Sequence, residues 1–447
     1  MNTKVCKFGG SSVANASQIK KVAEIIRSDN ERRIIVVSAP KGVTDLLIQC
    51  TKSSSEKIFP EKEFGQIQAM YDEIGNELGV SKDTTLVLEE LRTRIIGNNM
   101  SKRQHEDFIK SWGEYSSAKI IAAFFNTVGI PTCFQRPEDI GFYVTEDFGN
   151  ARLLPESYQH IKRSISGNKV VVFPGFYGIT KNKTYATFSR GGSDLTGAIL
   201  AAAVQAQVYE NWTDQDGIRR ADPRIVQNPE KIEEITYKEI RELSYMGFKV
   251  FHAEAMIPVM KGKIPINVRN TNNPENNGTL IVNTRQIHEA QPIIGVASRN
   301  NFAVFNVEKI LMDLEVGFGR KLLGIFEQEG LSYEHAPSGI DSMSVVLDGT
   351  QLSKEIEEKI VKDIKEDLNP ESITVEHQKA LISVVGIAFS RKPETITKII
   401  SAVANAGVNI NILNQGASEM SIIIGVKERD AEIAVRAIYS ELFTVKT

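Results

Sequence analysis

The hydrophobic pattern divides the chain into two regimes. Over the first 270 residues, short apolar runs alternate with segments of helical spacing. Val5 to Phe8 is an apolar run that meets Gly9-Gly10, and residues 15–28 follow with Ile19, Val22, Ala23 and Ile26 at helical intervals. Ile34 to Val37 is apolar without a break, as expected of a strand buried on both faces. Further strands are predicted at Lys169–Phe173, Ala186–Phe188 and Val208–Trp212, and helices over 112–128, 193–205 and 236–250. This alternation predicts an α/β fold with a mainly parallel, helix-covered central sheet. Residues 51–110 are charged, helical in pattern and poor in strand signals, and read as a helical insertion. Asn270, Asn272, Asn273, Asn276 and Asn277 cluster with Pro274 and Gly278 in a turn-rich connector. A short strand at Thr279–Val282 precedes the linker Thr284–Pro292.

The last third repeats itself. Residues 330–347 align without gaps on residues 407–424, at an offset of 77. Gly330/Gly407, Gly339/Gly416, Met343/Met420 and Ser344/Ser421 are identical pairs. Helical patterns precede the copies at 319–329 and 394–406 and follow them at 351–367 and 428–442, with further strands at 372–379 and 381–387. The unit reads helix–strand–strand–helix, so the tail is expected to form two small α+β modules. Two copies at so long a period do not make a solenoid.

Composition narrows the function classes. The 447 residues suit two to four domains of ordinary size. Lys and Arg number 53 against 56 Asp and Glu, a net charge of −3, so no basic field for nucleic acid exists. Cys6, Cys50 and Cys133 are scattered, no CxxC occurs, and the histidines show no HExxH. A disulfide framework or a dedicated protein metal site is therefore not expected, which suits a reducing compartment. MNTKVCKFGG has no secretory apolar core and no apolar run reaches 18 residues, so neither export nor a membrane span is expected and the chain reads as cytoplasmic.

Any anion chemistry must then come from local geometry. In Lys7-Phe8-Gly9-Gly10-Ser11-Ser12 a strand ends in a cation and two glycines just before a helix. Glycines permit close backbone approach to an anion, and free N–H groups with the helix dipole add partial positive charge. Ser189-Arg190-Gly191-Gly192-Ser193-Asp194 repeats the device, with Arg190 offering a rigid fork for a carboxylate or phosphate. Ser193 or Asp194 could also simply cap the helix that follows. Thr213-Asp214-Gln215-Asp216-Gly217-Ile218-Arg219-Arg220-Ala221-Asp222-Pro223-Arg224 follows an apolar strand, at the carboxyl edge where open α/β sheets bind ligands. Gly247-Phe248-Lys249-Val250-Phe251-His252 places one more lysine at a helix end. Neither GxxxxGK[ST] nor GxGxxG occurs.

The ordered set KFGGSS, VVSAPKGVTDLL, SWGEYSSA, FSRGGSDLTGA, TDQDGIRRADPR and GFKVFHAEA resembles the aspartokinases of the amino acid kinase superfamily, over almost the whole chain. The resemblance implies an amino acid kinase-type αβα sandwich over 1–292, carrying the 51–110 insertion, and two ferredoxin-like ACT modules. The first module is expected over 308–380 and the second over 293–307 with 381–447. It implies ATP- and Mg²⁺-dependent phosphorylation of the L-aspartate side chain to 4-phospho-L-aspartate, the first step towards lysine, threonine and methionine. By matched position, Lys7, Gly9 and Gly10 would hold the ATP phosphates. Thr213, Asp214, Arg219, Arg224, Lys249 and Val250 would form the nucleotide side. Arg190 would clamp the aspartate α-carboxylate and Glu114 face its α-ammonium, with Thr44, Gly191, Gly192 and Ser193 completing the site and Asp194 orienting it. Lys41 and Arg219 stand where relatives often carry a small residue and a tyrosine.

The tail would then sense an end product, lysine first and threonine second. Met312, Glu315, Phe318, Glu334, Ser338 and Asp341 are the candidate effector residues, and a homodimer or dimer of dimers through the ACT modules is expected. Effector binding would misplace the 51–110 insertion or the nucleotide loop. Two other readings are a sibling kinase acting on glutamate or a nucleotide, and an inactive amino-acid sensor. Retention of Lys7, Arg190, Asp194 and Asp214 argues against the second.

Overall fold

The computed structural model describes residues 3–55, 58–96, 100–165, 169–189, 191–248, 253–286, 292–387, 392–416 and 419–444. They fall into two compact units. The first comprises residues 1–218, 231–240 and 249–285; the second comprises 219–230, 241–248 and 286–447.

The first unit is built on strands β1 (Lys4–Phe8), β2 (Arg32–Val37), β3 (Thr132–Phe134), β4 (Val170–Pro174), β5 (Tyr177–Ile179), β6 (Tyr185–Thr187), β7 (Val208–Thr213), β8 (Glu234–Thr236), β9 (Ile266–Asn270) and β10 (Thr279–Val282). Among the described residues, eight form one sheet in the order β3-β4-β2-β1-β7-β9-β10-β8. Every pairing in it is parallel except β9 with β10. The run at 185–187 lies outside this sheet, in an antiparallel ribbon with β5. Helices α1 (Ala16–Arg27), α2 (Val43–Ser55), α3 (Glu61–Leu78), α4 (Ser81–Ile96), α5 (Lys102–Lys110) and α6 (Trp112–Thr127) come next in chain order. They are followed by α7 (Pro137–Ile140), α8 (Ser157–Ser164), α9 (Gly192–Val204), α10 (Tyr237–Tyr245) and α11 (Ile257–Lys261). The 51–110 region is helical as its pattern predicts, and Phe64, Ile67, Tyr71, Val87, Leu91 and Ile109 join one core with Val37, Leu47 and Trp112.

Glu210 is a charge inside this sheet. Arg32 Nε donates to it at 2.8 Å and Trp212 Nε1 at 2.9 Å. A buried carboxylate is tolerable only when so partnered.

The second unit carries β11 (Gly295–Glu308), β12 (Tyr333–His335), β13 (Ser342–Asp348), β14 (Ser372–Val385), β15 (Ile412–Gln415) and β16 (Ser421–Lys427) in one antiparallel sheet, ordered β12-β13-β11-β14-β16-β15. Helices α12 (Phe318–Gln328), α13 (Lys354–Leu368), α14 (Glu394–Asn405) and α15 (Ala431–Phe443) pack on it. The strands expected separately at 372–379 and 381–387 are one 14-residue strand. A shift of register on β11 between Arg299 and Val304, with Gln378 and Asn301 at positive φ, separates the modules without breaking either strand. Gly295–Arg299 pairs with the 381–385 half of β14, whereas Phe302–Glu308 also pairs with β13 of the first repeat. Residues 302–307 thus lie with the first module, not the second. Residues 219–230, which the pattern assigned to the catalytic part, also differ. Ala221 and Val226 sit in a core with Ile293, Ile382, Ile424 and Ile438 of the second unit.

Candidate active site

The carboxyl ends of β1 and β2 open onto one cavity of about 380 Å³, lined by Lys7, Gly10, Ser38 to Gly42, Thr44, Asp45, Glu114, Phe176 and Gly191 to Asp194. Strand pairing builds it. Ser38 N–H donates to Phe8 O (3.1 Å), Gly9 N–H to Trp212 O (3.2 Å) and Lys41 N–H to Gly10 O (3.1 Å), tying the Gly-Gly turn to its neighbours. A Cβ on Gly10 would stand 2.8 Å from the Ala39 carbonyl oxygen, so glycine is required by this close approach.

Opposite lies the start of α9. Gly191, in the left-handed region at φ 74°, is its N-cap, and no side chain caps the helix. The first-turn N–H groups and the helix dipole are thus left for an anion. The capping role open to Ser193 or Asp194 is not taken. Asp194 Oδ1 instead lies 2.6 Å from Lys7 Nζ and accepts from Asn211 Nδ2 at 2.8 Å. Phe176, on the wall, also has positive φ (73°), and its N–H donates to Thr196 Oγ1 at 3.1 Å. Strain of this kind persists where the surroundings fix it.

Glu114 supplies the floor. It is 4% exposed, on the first turn of α6. Its Oε2 has no hydrogen-bond partner among the described residues. Burial pushes its carboxyl group up to about 8, against smaller opposing effects from the Ala39 N–H, its own N–H and Lys7. Gly113 lets α6 approach so closely: a Cβ there would be 2.8 Å from the Ala39 Cβ.

The structure therefore gathers Lys7, Gly10, Thr44, Glu114, Gly191, Gly192, Ser193 and Asp194 around one space, with Gly9 and Thr213 at the adjoining ends of β1 and β7. Asp214 follows Thr213, exposed, and accepts from Thr213 Oγ1 at 3.2 Å. Arg190, Lys249 and Val250 lie outside the described residues. Arg219 and Arg224 belong to the second unit. Arg219 donates to Pro229 O, and Arg224 pairs with Asp222 at 2.6 Å. The sequence reading passed over Ser38, Pro40, Gly42, Asp45 and Phe176. A Pro-Lys-Gly turn directly after an apolar strand was the available signal for that wall.

The effector candidates divide. Met312 and Phe318 are core side chains of the first module, packed with Phe305, Leu322 and Met343, so their side chains do not present themselves to a ligand as expected. Glu315 pairs with Lys309 (2.9 Å) and Lys321 (2.8 Å). Glu334 pairs with Arg299 at 3.1 Å, and burial raises its pKa. Asp341 Oδ1 accepts from Leu311 N–H (2.8 Å), and Ser338 bridges to Met343.

A parallel sheet whose strand ends carry two glycine turns, a lysine and an uncapped helix is the architecture of a small-molecule kinase, and the amino acid kinase family profile matches residues 2–270. An ACT domain profile matches residues 382–442. Aspartokinase 3 of Bacillus subtilis is 42% identical over 98% of both chains. The crystal structure of Clostridium acetobutylicum aspartate kinase superposes with TM-score 0.88 at 41% identity, covering 98% of this chain and 100% of that one. Escherichia coli aspartokinase III, solved with aspartate and ADP and also with lysine and aspartate, shares the fold at TM-scores 0.78 and 0.77 and 24% identity. These matches cover 99% of this chain and at least 99% of those chains. The chain belongs to the aspartokinases. It is an aspartate kinase with an ACT-type regulatory part, and among its described residues no helix is long and apolar enough to cross a membrane.

Proposed function

We propose that this cavity holds the aspartate side chain against the terminal phosphate of ATP. One observation carries the reading: Glu114, a buried carboxyl group in the same space as Lys7 and the uncapped α9, has one oxygen, Oε2, without a hydrogen-bond partner among the described residues. Lys7, Gly9 and Gly10 take the phosphates; Thr213, Asp214, Arg219, Arg224, Lys249 and Val250 form the nucleotide side. Glu114 receives the substrate α-ammonium, which supplies the partner its Oε2 lacks. Arg190 clamps the α-carboxylate, and Thr44 with Gly191 to Ser193 completes the substrate side.

The β-carboxylate of aspartate, with a pKa of about 3.9, is ionised at neutral pH, so its oxygen is already a nucleophile. That oxygen bonds to the γ-phosphorus as the bond to the bridging oxygen breaks, giving 4-phospho-L-aspartate and ADP with no proton transfer. The obstacle is the approach of two anions, and the chain answers with positioning and fixed positive charge. Mg²⁺, arriving with the nucleotide, supplies further neutralisation of phosphate charge. The donors at the cradle are N–H groups and an ammonium, which suit phosphate oxygens, and Asp194 is the acid beside them. Incoming phosphate competes with Asp194 for Lys7, so Asp194 keeps the lysine aimed until the nucleotide binds.

In the second unit, Glu315, Glu334, Ser338 and Asp341 are proposed to read a free amino acid, lysine first and threonine second, the acids matching the two ammonium groups of lysine. The E. coli enzyme crystallised with lysine supports that order. Ile310, Leu311, Leu314, Ile340 and the 96%-exposed Val316 leave an apolar surface on the first module, which suits pairing with a second copy. The enzyme would work in the cytoplasm, at the first step towards lysine, threonine and methionine. The test is steady-state kinetics with each amino acid titrated. Lysine should inhibit at concentrations where threonine does not; inhibition by threonine alone would reverse the order. Glu114→Gln should raise the KM for aspartate about tenfold or more and leave that for ATP unmoved.

A further inference from the structure

Asp107 is a buried acid that this mechanism leaves without a role. It lies on α5, the last helix of the insertion, and is 1% exposed. Its Oδ2 accepts from the Thr187 N–H at 2.7 Å and the Gly149 N–H at 2.8 Å. Its Oδ1 accepts from the Thr187 hydroxyl at 2.9 Å and lies 3.6 Å from Lys110 Nζ. Charge-assisted bonds of this kind, inside a protein, fix geometry strongly.

What they fix is telling. Thr187 ends β6, and four residues later the chain reaches Gly191 and the start of α9. The strand end is held from the other side too: Ala151 N–H donates to Thr187 O (3.0 Å), and Phe188 N–H to Phe176 O (2.8 Å). In the other direction Asp107 precedes Glu114 by seven residues, and the chain passes from α5 to α6 through Ser111, whose N–H donates to Asp107 O at 2.9 Å. A second contact joins the same pieces. The Arg94 guanidinium lies 4.6 Å above the Phe108 ring, which stacks on Tyr185 with 6.1 Å between centroids.

We propose that Asp107 is a positioning residue for the aspartate subsite. Its carboxylate bonds the helix leading to Glu114 to the strand leading to the Gly191–Asp194 turn, and so sets the span between Glu114 and the Gly191–Ser193 turn, which contact the substrate together. This rests on the reading that Glu114 and that turn bind aspartate. It also gives the insertion a role, since α5 carries the clamp from the helical layer to the substrate loop.

A residue that merely stabilises the fold would lower Tm and leave the ratio of the two KM values alone. The clamp makes a different prediction for the full-length enzyme. Asp107→Ala should raise the KM for aspartate about tenfold or more, with the KM for ATP unmoved, because displacements of ~1 Å at a substrate contact cost that much. Asp107→Asn keeps the shape and an acceptor oxygen, and the Thr187 hydroxyl can turn to accept, so it should stay within about threefold of the parent. If Asp107→Ala yields no folded protein, Thr187→Val, which removes one of the three bonds, should raise the KM for aspartate alone by about threefold. Equal changes in both KM values, or none in a folded Asp107→Ala or Thr187→Val protein, would overturn the proposal. Glu114→Gln assayed in parallel separates the two failures. If it too leaves the KM for aspartate unchanged, the subsite reading falls and the clamp with it. If it raises that KM and Asp107→Ala does not, the clamp alone is wrong.

Discussion

At the residue scale the site turns on Glu114. In the ligand-free protein its carboxyl group titrates at about 8 against 4.5 ordinarily, because burial opposes its charge. Between those values the folded chain binds a proton that the unfolded chain has released, so stability contributed by the neutral acid is lost as pH rises through about 8. Glu114→Gln cannot lose it. The Tm of Glu114→Gln relative to the parent should therefore grow from pH 5 to pH 8.5 without aspartate; a difference independent of pH would contradict the assignment. On the proposed placement, an α-ammonium beside Glu114 restores the ionised form, so aspartate binding near pH 7 should release a proton, seen as a buffer-dependent binding enthalpy in calorimetry. Lys7→Ala should lower kcat by about 10²–10³, the usual cost of removing one preorganised charge-stabilising donor. Lys7 and the two glycine turns stand out in the sequence as cations and glycines at strand ends, although the first hexapeptide alone suits a plain strand–helix turn equally well. Glu114 was legible only through the resemblance, because a glutamate on a helix is by default a solvated charge. Its burial follows from the Gly113–Ala39 contact, which no local pattern announces.

At the scale of elements, the periodicities predicted the strands and helices well where each buries its own face. They misjudged the pieces whose partner is distant in sequence. The run predicted at 186–188 reads like the sheet strands, yet β6 pairs with β5 in a separate ribbon. The strands predicted at 372–379 and 381–387 are one strand, with Gln378 at positive φ inside it. Close approach between elements gives a sharp test. Gly10→Ala puts a methyl group 2.8 Å from a backbone oxygen that has no freedom to yield, so the turn must move. We expect a loss of about 1–3 kcal/mol in stability and a raised KM for ATP, measured by denaturation and kinetics. An unchanged Gly10→Ala enzyme would show that the turn is not held as described.

At the scale of the whole molecule, the chain leaves the first unit at Ile218 and re-enters it at Lys231, and the residues between fold with the regulatory sheet. Within the second unit, Glu230 N–H donates to the Tyr439 hydroxyl (2.8 Å), Arg436 Nε to Ile225 O (2.7 Å), and the Arg220 guanidinium lies 5.0 Å from the Phe443 ring centroid. The segment that carries Arg219 and Arg224 is thus anchored on α15 within the second unit. Tyr439→Phe removes that acceptor and should cost about 1–3 kcal/mol of stability in denaturation; an unchanged stability would show that the Glu230 N–H does not depend on this hydroxyl. The sequence had placed 219–230 with the catalytic part, because motif order follows the chain and packing does not. The central claim, that one cavity joins an ionised aspartate carboxylate to a phosphate held by Lys7, is tested most directly by ATP-dependent hydroxamate formation in hydroxylamine. The parent enzyme should give the aspartyl hydroxamate, with glutamate inert and Lys7→Ala nearly so. Product from glutamate instead of aspartate, or parental rates in Lys7→Ala, would contradict it.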